Sequence, residues 1–144
     1  MRTRIALPAL ALVAALSASA AWACSCIGYR SAEAQLAETP LMFVGRAVRT
    51  VPEGAVPEPR PGPAPRIAGG VTRFEVQRTL KGRAMSVRRI AHPTGDEAGC
   101  GVTFTPGQTY VVMARADEGR LTTSLCSQPQ FPLADYERAL AARR

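Results

Sequence analysis

The sequence predicts a small, mainly β domain with about five short strands, a helix near each end and disulfide staples. Three observations lead there. Short runs rich in Val, Phe, Thr and Ile recur between turns containing Gly and Pro, and one of them alternates cleanly. Helix signals occur only near the start and end of the region that carries these runs. Four cysteines, Cys24, Cys26, Cys100 and Cys126, occur in a chain of 144 residues, a length that allows one domain. Strands this short, at this spacing, build a sandwich or a small barrel.

The first 23 residues stand apart from that pattern. Arg2 and Arg4 give a positive start, Ile5 to Ala20 is an apolar run, and Ala21-Trp22-Ala23 puts small residues where signal peptidase reads them. The run is short for a transmembrane anchor and ends in a cleavage site. Residues 1–23 therefore read as a signal peptide cleaved after Ala23, and the chain as secreted or periplasmic. The remaining 121 residues, 24–144, carry 16 Lys and Arg against 11 Asp and Glu, a formal charge of +5. No later stretch is long and apolar enough to span a bilayer. In an oxidising compartment four cysteines make two disulfides, and three pairings are open. Cys24 and Cys26 lie too close for an easy bridge to each other. A lipid on Cys24 is the competing fate of this terminus. Ala23 suits it; Ala21 and Trp22 do not.

The elements follow in order. Ser31 to Glu38 reads as a helix with Ser31 as N-cap and Pro40 just past its end. Leu41 to Val48 is a strand, with Gly45 a bulge or bend. Residues 52–70 hold six prolines and four glycines and read as a projecting loop. Val71 to Leu80 alternates, with Thr72, Phe74, Val76, Arg78 and Leu80 on one face and Arg73, Glu75 and Gln77 on the other. Lys81-Gly82 turns the chain into a strand from Met85 to Ile90. His92 to Phe104 is irregular, and His92, the only histidine, reads as a loop residue. Pro106-Gly107 precedes a strand from Thr109 to Arg115. Asp117-Glu118-Gly119 is a hairpin turn into Arg120 to Leu125. Pro132 opens a last helix with Leu133, Tyr136 and Leu140 on one stripe.

Several of these motifs, taken together, resemble a known family. An N-terminus reading Cys24-Ser25-Cys26-Ile27 is similar to that of the tissue inhibitors of metalloproteinases (TIMP) and the wider netrin-like (NTR) family. Phe43-Val44-Gly45, Leu80-Lys81-Gly82, Ala98-Gly99-Cys100-Gly101, Tyr110-Val111-Val112 and the hairpin from Gly119 to Cys126 follow in matching order. The resemblance spans nearly all of residues 24–144. It implies a five-stranded OB-type Greek-key barrel with flanking short helices, and the pairings Cys24–Cys100 and Cys26–Cys126. The chain lacks the third disulfide and the cysteine-rich C-terminal subdomain of the animal inhibitors.

The resemblance also implies a function. The α-amino nitrogen and carbonyl oxygen of Cys24 would chelate the catalytic zinc of a target metalloendopeptidase. Ser25 would enter the adjoining specificity pocket. Ile27 and Gly28 would lie along the cleft, Cys26 would be among the protease-contacting residues, and Ala98 and Gly99 would form a second contacting edge. The alternative is a non-inhibitory netrin-like interaction module that engages another envelope or extracellular protein, in which the cysteines are staples only. No phosphate loop, metal-ligand cluster or catalytic carboxylate pair is visible, and one histidine cannot build a triad, so neither an enzyme nor a resident cofactor is expected. Scattered arginines and export argue against nucleic acid.

Overall fold

The computed structural model describes residues 24–53, 69–95 and 100–143. Residues 1–23, read above as a signal peptide, residues 54–68 of the Pro/Gly-rich loop, and Ala98 and Gly99 lie outside these described residues.

Helix α1 (Ala32–Glu38) starts where the sequence places it, because the Ser31 hydroxyl accepts a hydrogen bond from the Ala34 amide at 3.1 Å. Lys81 donates its ammonium to the Leu36 carbonyl at the other end. Five strands follow: β1 (Leu41–Pro52), β2 (Gly69–Lys81), β3 (Val87–Pro93), β4 (Thr109–Asp117) and β5 (Arg120–Thr122). A 3-10 turn (Leu125–Ser127) and helix α2 (Leu133–Ala141) complete the chain. The strands close into a barrel in the order β1-β2-β3-β5-β4, with β4 paired back to β1. β3 and β5 run parallel through Ala91 and Thr122, and every other pair is antiparallel. This is the OB-type Greek-key barrel, mainly β, with two short flanking helices and two disulfides.

Strand β1 is buried on both faces, which explains its unbroken apolar start. Leu41, Phe43 and Ala47 point into the barrel with Phe74, Ile90, Phe104, Val112 and Ala114. Met42 points outward and joins Met113, Ala32, Leu36 and Tyr136 in a second core beneath the two helices. Inside the barrel, Phe74 meets Phe43 and Phe104 edge to face at 5.6 and 5.0 Å. Truncating a fully buried ring of this kind costs about 3–5 kcal/mol. Register slips mark the bend at Gly45, where a Cβ would stand 2.9 Å from the Phe43 ring and 3.1 Å from the Glu75 carbonyl.

The structure corrects several readings. β2 runs from Gly69 to Lys81, so Pro52, Gly69 and Gly70 of the expected loop lie in strands. β1 runs on to Pro52 and β4 to Asp117. β3 begins at Val87, leaving Met85 exposed, and continues to Pro93. β5 stops at Thr122, because the chain must leave the sheet to bring Cys126 to its partner. Arg78 leaves the inward face of β2 after the slip near Gly45 and pairs with Glu137 on α2.

His92 therefore lies in a strand and is 3% exposed. Its Nδ1 faces the Pro93 carbonyl at 3.2 Å, an acceptor only, so Nδ1 carries the proton. Nε2 then accepts from the Thr72 hydroxyl at 2.7 Å, which in turn accepts from Thr50 at 2.7 Å. Burial pushes the imidazole below its ordinary pKa, against partial support from the Pro93 and Val102 backbone.

Candidate functional site

The segment 24–29 has no regular secondary structure. Such a segment is positioned only by what ties it down. The first tie is covalent. Cys24 is bridged to Cys100, with Cα atoms 5.3 Å apart, and Cys26 to Cys126, with Cα atoms 5.0 Å apart. This is the pairing implied by the resemblance. The bridges touch, Cys24 Sγ lying 3.4 Å from Cys126 Sγ. Cys24, Cys100 and Cys126 form the one sulfur cluster of metal-binding size among the described residues, but their sulfurs are oxidised and offer no thiolate.

The second tie is polar, and the sequence reading missed it. The side-chain amide of Gln130 acts as a short length of strand. Its Oε1 accepts from the Tyr29 amide at 2.9 Å and its Nε2 donates to the Ile27 carbonyl at 2.9 Å. Tyr29 donates its hydroxyl to Glu38 at 2.9 Å, and that bond holds its phenol above the ordinary pKa. Gln130 is itself set by buried groups. Tyr136 Oη accepts from the amides of Gln130 and Phe131 at 3.0 and 3.2 Å and donates to Gln35 Oε1. Gln35 Nε2 donates to the Gln128 carbonyl at 2.9 Å. Gln35 and Tyr136 are 2% and 0% exposed, so the bond between them forms away from water and is costly to break, while their bonds to residues 128–131 are part-buried. Burial raises the Tyr136 pKa.

Between these ties the segment stands clear. Ser25, Cys26, Ile27 and Gly28 are exposed, Ile27 by 80%, and Cys24 is half-buried. A cleft of about 340 Å³ opens beside them, with Ser25, Ile27, Tyr29, Glu38, Met113 and Arg115 among its walls.

The partner of Cys24 is held just as closely. Cys100 sits at φ 57°, and its carbonyl accepts from the Leu125 amide at 3.1 Å. The glycine after it is required by space, since a Cβ at Gly101 would stand 2.8 Å from the Gly95 carbonyl oxygen. Of the residues expected at the site, Ser25, Cys26 and Ile27 form one exposed ridge that starts from the half-buried Cys24. Ala98 and Gly99, the expected second edge, fall outside the described residues. Fold and site define a class: a disulfide-stapled OB-type barrel that presents a doubly anchored segment at residues 24–29. No protein-family model matches the chain, and no curated protein matches it.

Proposed function

We propose that the protein is a TIMP-like inhibitor of zinc metalloendopeptidases, acting through Cys24 after cleavage behind Ala23. One observation carries the reading: Ser25-Cys26-Ile27 is exposed beside a half-buried Cys24, and the segment is fixed by two disulfides and the Gln130 amide. A catalytic zinc keeps one coordination position for water. The amine and carbonyl of one residue form a five-membered chelate that displaces that water. The amine binds unprotonated, and an α-amino pKa of about 7.7–8.0 makes that proton cheap to lose near neutral pH. A segment already rigid loses little entropy on docking. Ser25 then enters the pocket beside the zinc, Ile27 lies along the cleft, and Ala98 and Gly99 supply the second edge. Two disulfides fit the oxidising, extracellular or periplasmic setting that the reading needs. Among the described residues no helix is long and apolar enough to cross a membrane.

The test uses chain 24–144 with a free N-terminus, confirmed by intact mass, against a panel of zinc endopeptidases. Inhibition is expected, and one added N-terminal Ala should abolish it. Ser25→Gly should weaken it on some proteases more than others. If micromolar protein leaves the whole panel active, or if the extended chain inhibits equally well, zinc chelation is wrong. A native mass carrying acyl chains on Cys24 would also overturn it, because the acylated amine cannot chelate.

A further inference from the structure

Three arginines stand side by side on the outer wall of the barrel. Arg49 on β1 is registered opposite Arg73 on β2, and Arg73 opposite Arg89 on β3. All three are exposed. A one-residue bulge at Val48 creates the row, since without it Val48 would face Arg73. Directly opposed side chains start about 4.5–5.5 Å apart at Cβ, and like charges there destabilise a sheet.

Among the described residues none of the three arginines makes an ion pair. The nearest acid on that face, Glu75, is taken by Arg46 at 2.6 Å. The next pair along the strands is Val51 opposite Val71. The three guanidinium-bearing residues and these two valines enclose a depression of about 40 Å³. A water molecule needs about 10–15 Å³ of such space, so the depression receives one small group rather than a ring system.

We propose that this depression is a binding site for the phosphoryl group of a phosphorylated ligand. Guanidinium forks match tetrahedral oxyanions in paired hydrogen bonds, and the valine walls keep water from one side. Three cations favour the most charged common oxyanion. A phosphomonoester carries about −1.5 to −2 at pH 7. The site shares no residue with the bridged N-terminal segment, so it stands or falls separately from the protease reading.

The experiment titrates chain 24–144 with inorganic phosphate and with tripolyphosphate at low ionic strength, by amide NMR shifts and calorimetry. Saturable binding centred on residues 49, 73 and 89 is expected, tighter for tripolyphosphate. Arg73→Gln should weaken it at least tenfold. Arg138→Gln, on helix α2, should leave it unchanged. In phosphate-free buffer Arg73→Gln should melt no lower than the parent, and phosphate should raise the parent's melting temperature more than the variant's. Equal losses in both variants would mean diffuse charge attraction and overturn the site. So would sulfate binding as tightly as phosphate, or binding to phosphatidylglycerol vesicles with none to either phosphate probe.

Discussion

The two disulfides cross-link nearly the same stretch of chain, and that overlap makes a quantitative prediction. Cys24–Cys100 spans 76 residues and Cys26–Cys126 spans 100. Treated as independent loops, they would contribute about 4.5 and 4.7 kcal/mol in the chain-entropy relation. They are not independent. With either bridge intact, the ends of the other are joined by a path of only about 28 residues: two from Cys24 to Cys26 and 26 from Cys100 to Cys126. Closing that shorter path is worth about 3.6 kcal/mol in the same relation. Converting either pair to serines should therefore cost about 3.6 kcal/mol, and converting all four about 8 kcal/mol. The fourfold variant then loses about 1 kcal/mol more than the two separate losses together. Urea unfolding followed by far-ultraviolet circular dichroism measures each value. A small domain has about 5–15 kcal/mol in total, so the fourfold variant should be largely unfolded at 25 °C or close to it. A single-bridge cost below about 1.5 kcal/mol, or a fourfold cost no larger than the two separate costs combined, would refute the shared-loop reasoning.

Three further outcomes are expected. His92 is buried neutral with a lowered pKa, so the unfolded chain binds a proton there first as pH falls. Its contribution is complete above the unfolded value of about 6.5 and declines below it, with a slope approaching 1.4 kcal/mol per pH unit. His92→Gln should flatten the melting-temperature curve between pH 6.5 and 5, and an unchanged curve would exclude His92 as the cause. Tyr136→Phe keeps the ring but strips the acceptor from the Phe131 amide and the donor from Gln35, and should cost about 1–3 kcal/mol in urea. A neutral result would mean water replaces the hydroxyl. Gln130→Ala should leave the global midpoint within about 1.5 kcal/mol of the parent while speeding hydrogen exchange at the Tyr29 amide. Unchanged exchange at Tyr29 would show that the bridges alone hold the segment.

How much of this was legible in the sequence depended on range. Ser31 capping α1, the turn at Asp117-Glu118-Gly119 and the α2 stripe of Leu133, Tyr136 and Leu140 are set by neighbours a few residues away, and the local pattern carries them. The inward pair Thr72 and Phe74 follows from strand alternation, but that alternation fails past Val76, where the slip opposite Gly45 turns Arg78 outward. Bulges are one-residue events with no composition of their own, which also hides the Arg49–Arg73–Arg89 row. His92 was misread because a Pro follows it and a Gly comes soon after, both loop signals; its burial comes from Thr72 and Phe104, 20 and 12 residues away. The barrel order and the cysteine pairing came from family resemblance, since three pairings satisfy the spacing equally. Gln35 and Gln130 carry no local signal, because their partners lie about 95 residues off.

That last pair alters what the helices are for. By pattern, α1 and α2 merely cover the outer face of β1 and β4. In the structure Gln35 of α1 and Tyr136 of α2 converge on residues 128–131, the stretch that carries Gln130. Cys126 lies four residues before Gln130, so the covalent and polar anchors of the N-terminal segment share one short piece of backbone. The piece is rigid because buried groups hold its amides, and those amides are satisfied only while both helices stay docked. A mutation in the helical core, such as one at Leu36, should therefore disturb the exposed ridge at Ile27 without touching it. An equal change at the barrel core, at Ile90 for example, reaches the ridge only through global stability. Comparing Tyr29 amide exchange in Leu36→Ala and Ile90→Ala, at matched overall stability, separates the two routes. Faster exchange in the first alone is the expected result, and equal exchange in both would dissolve the link between the helices and the site.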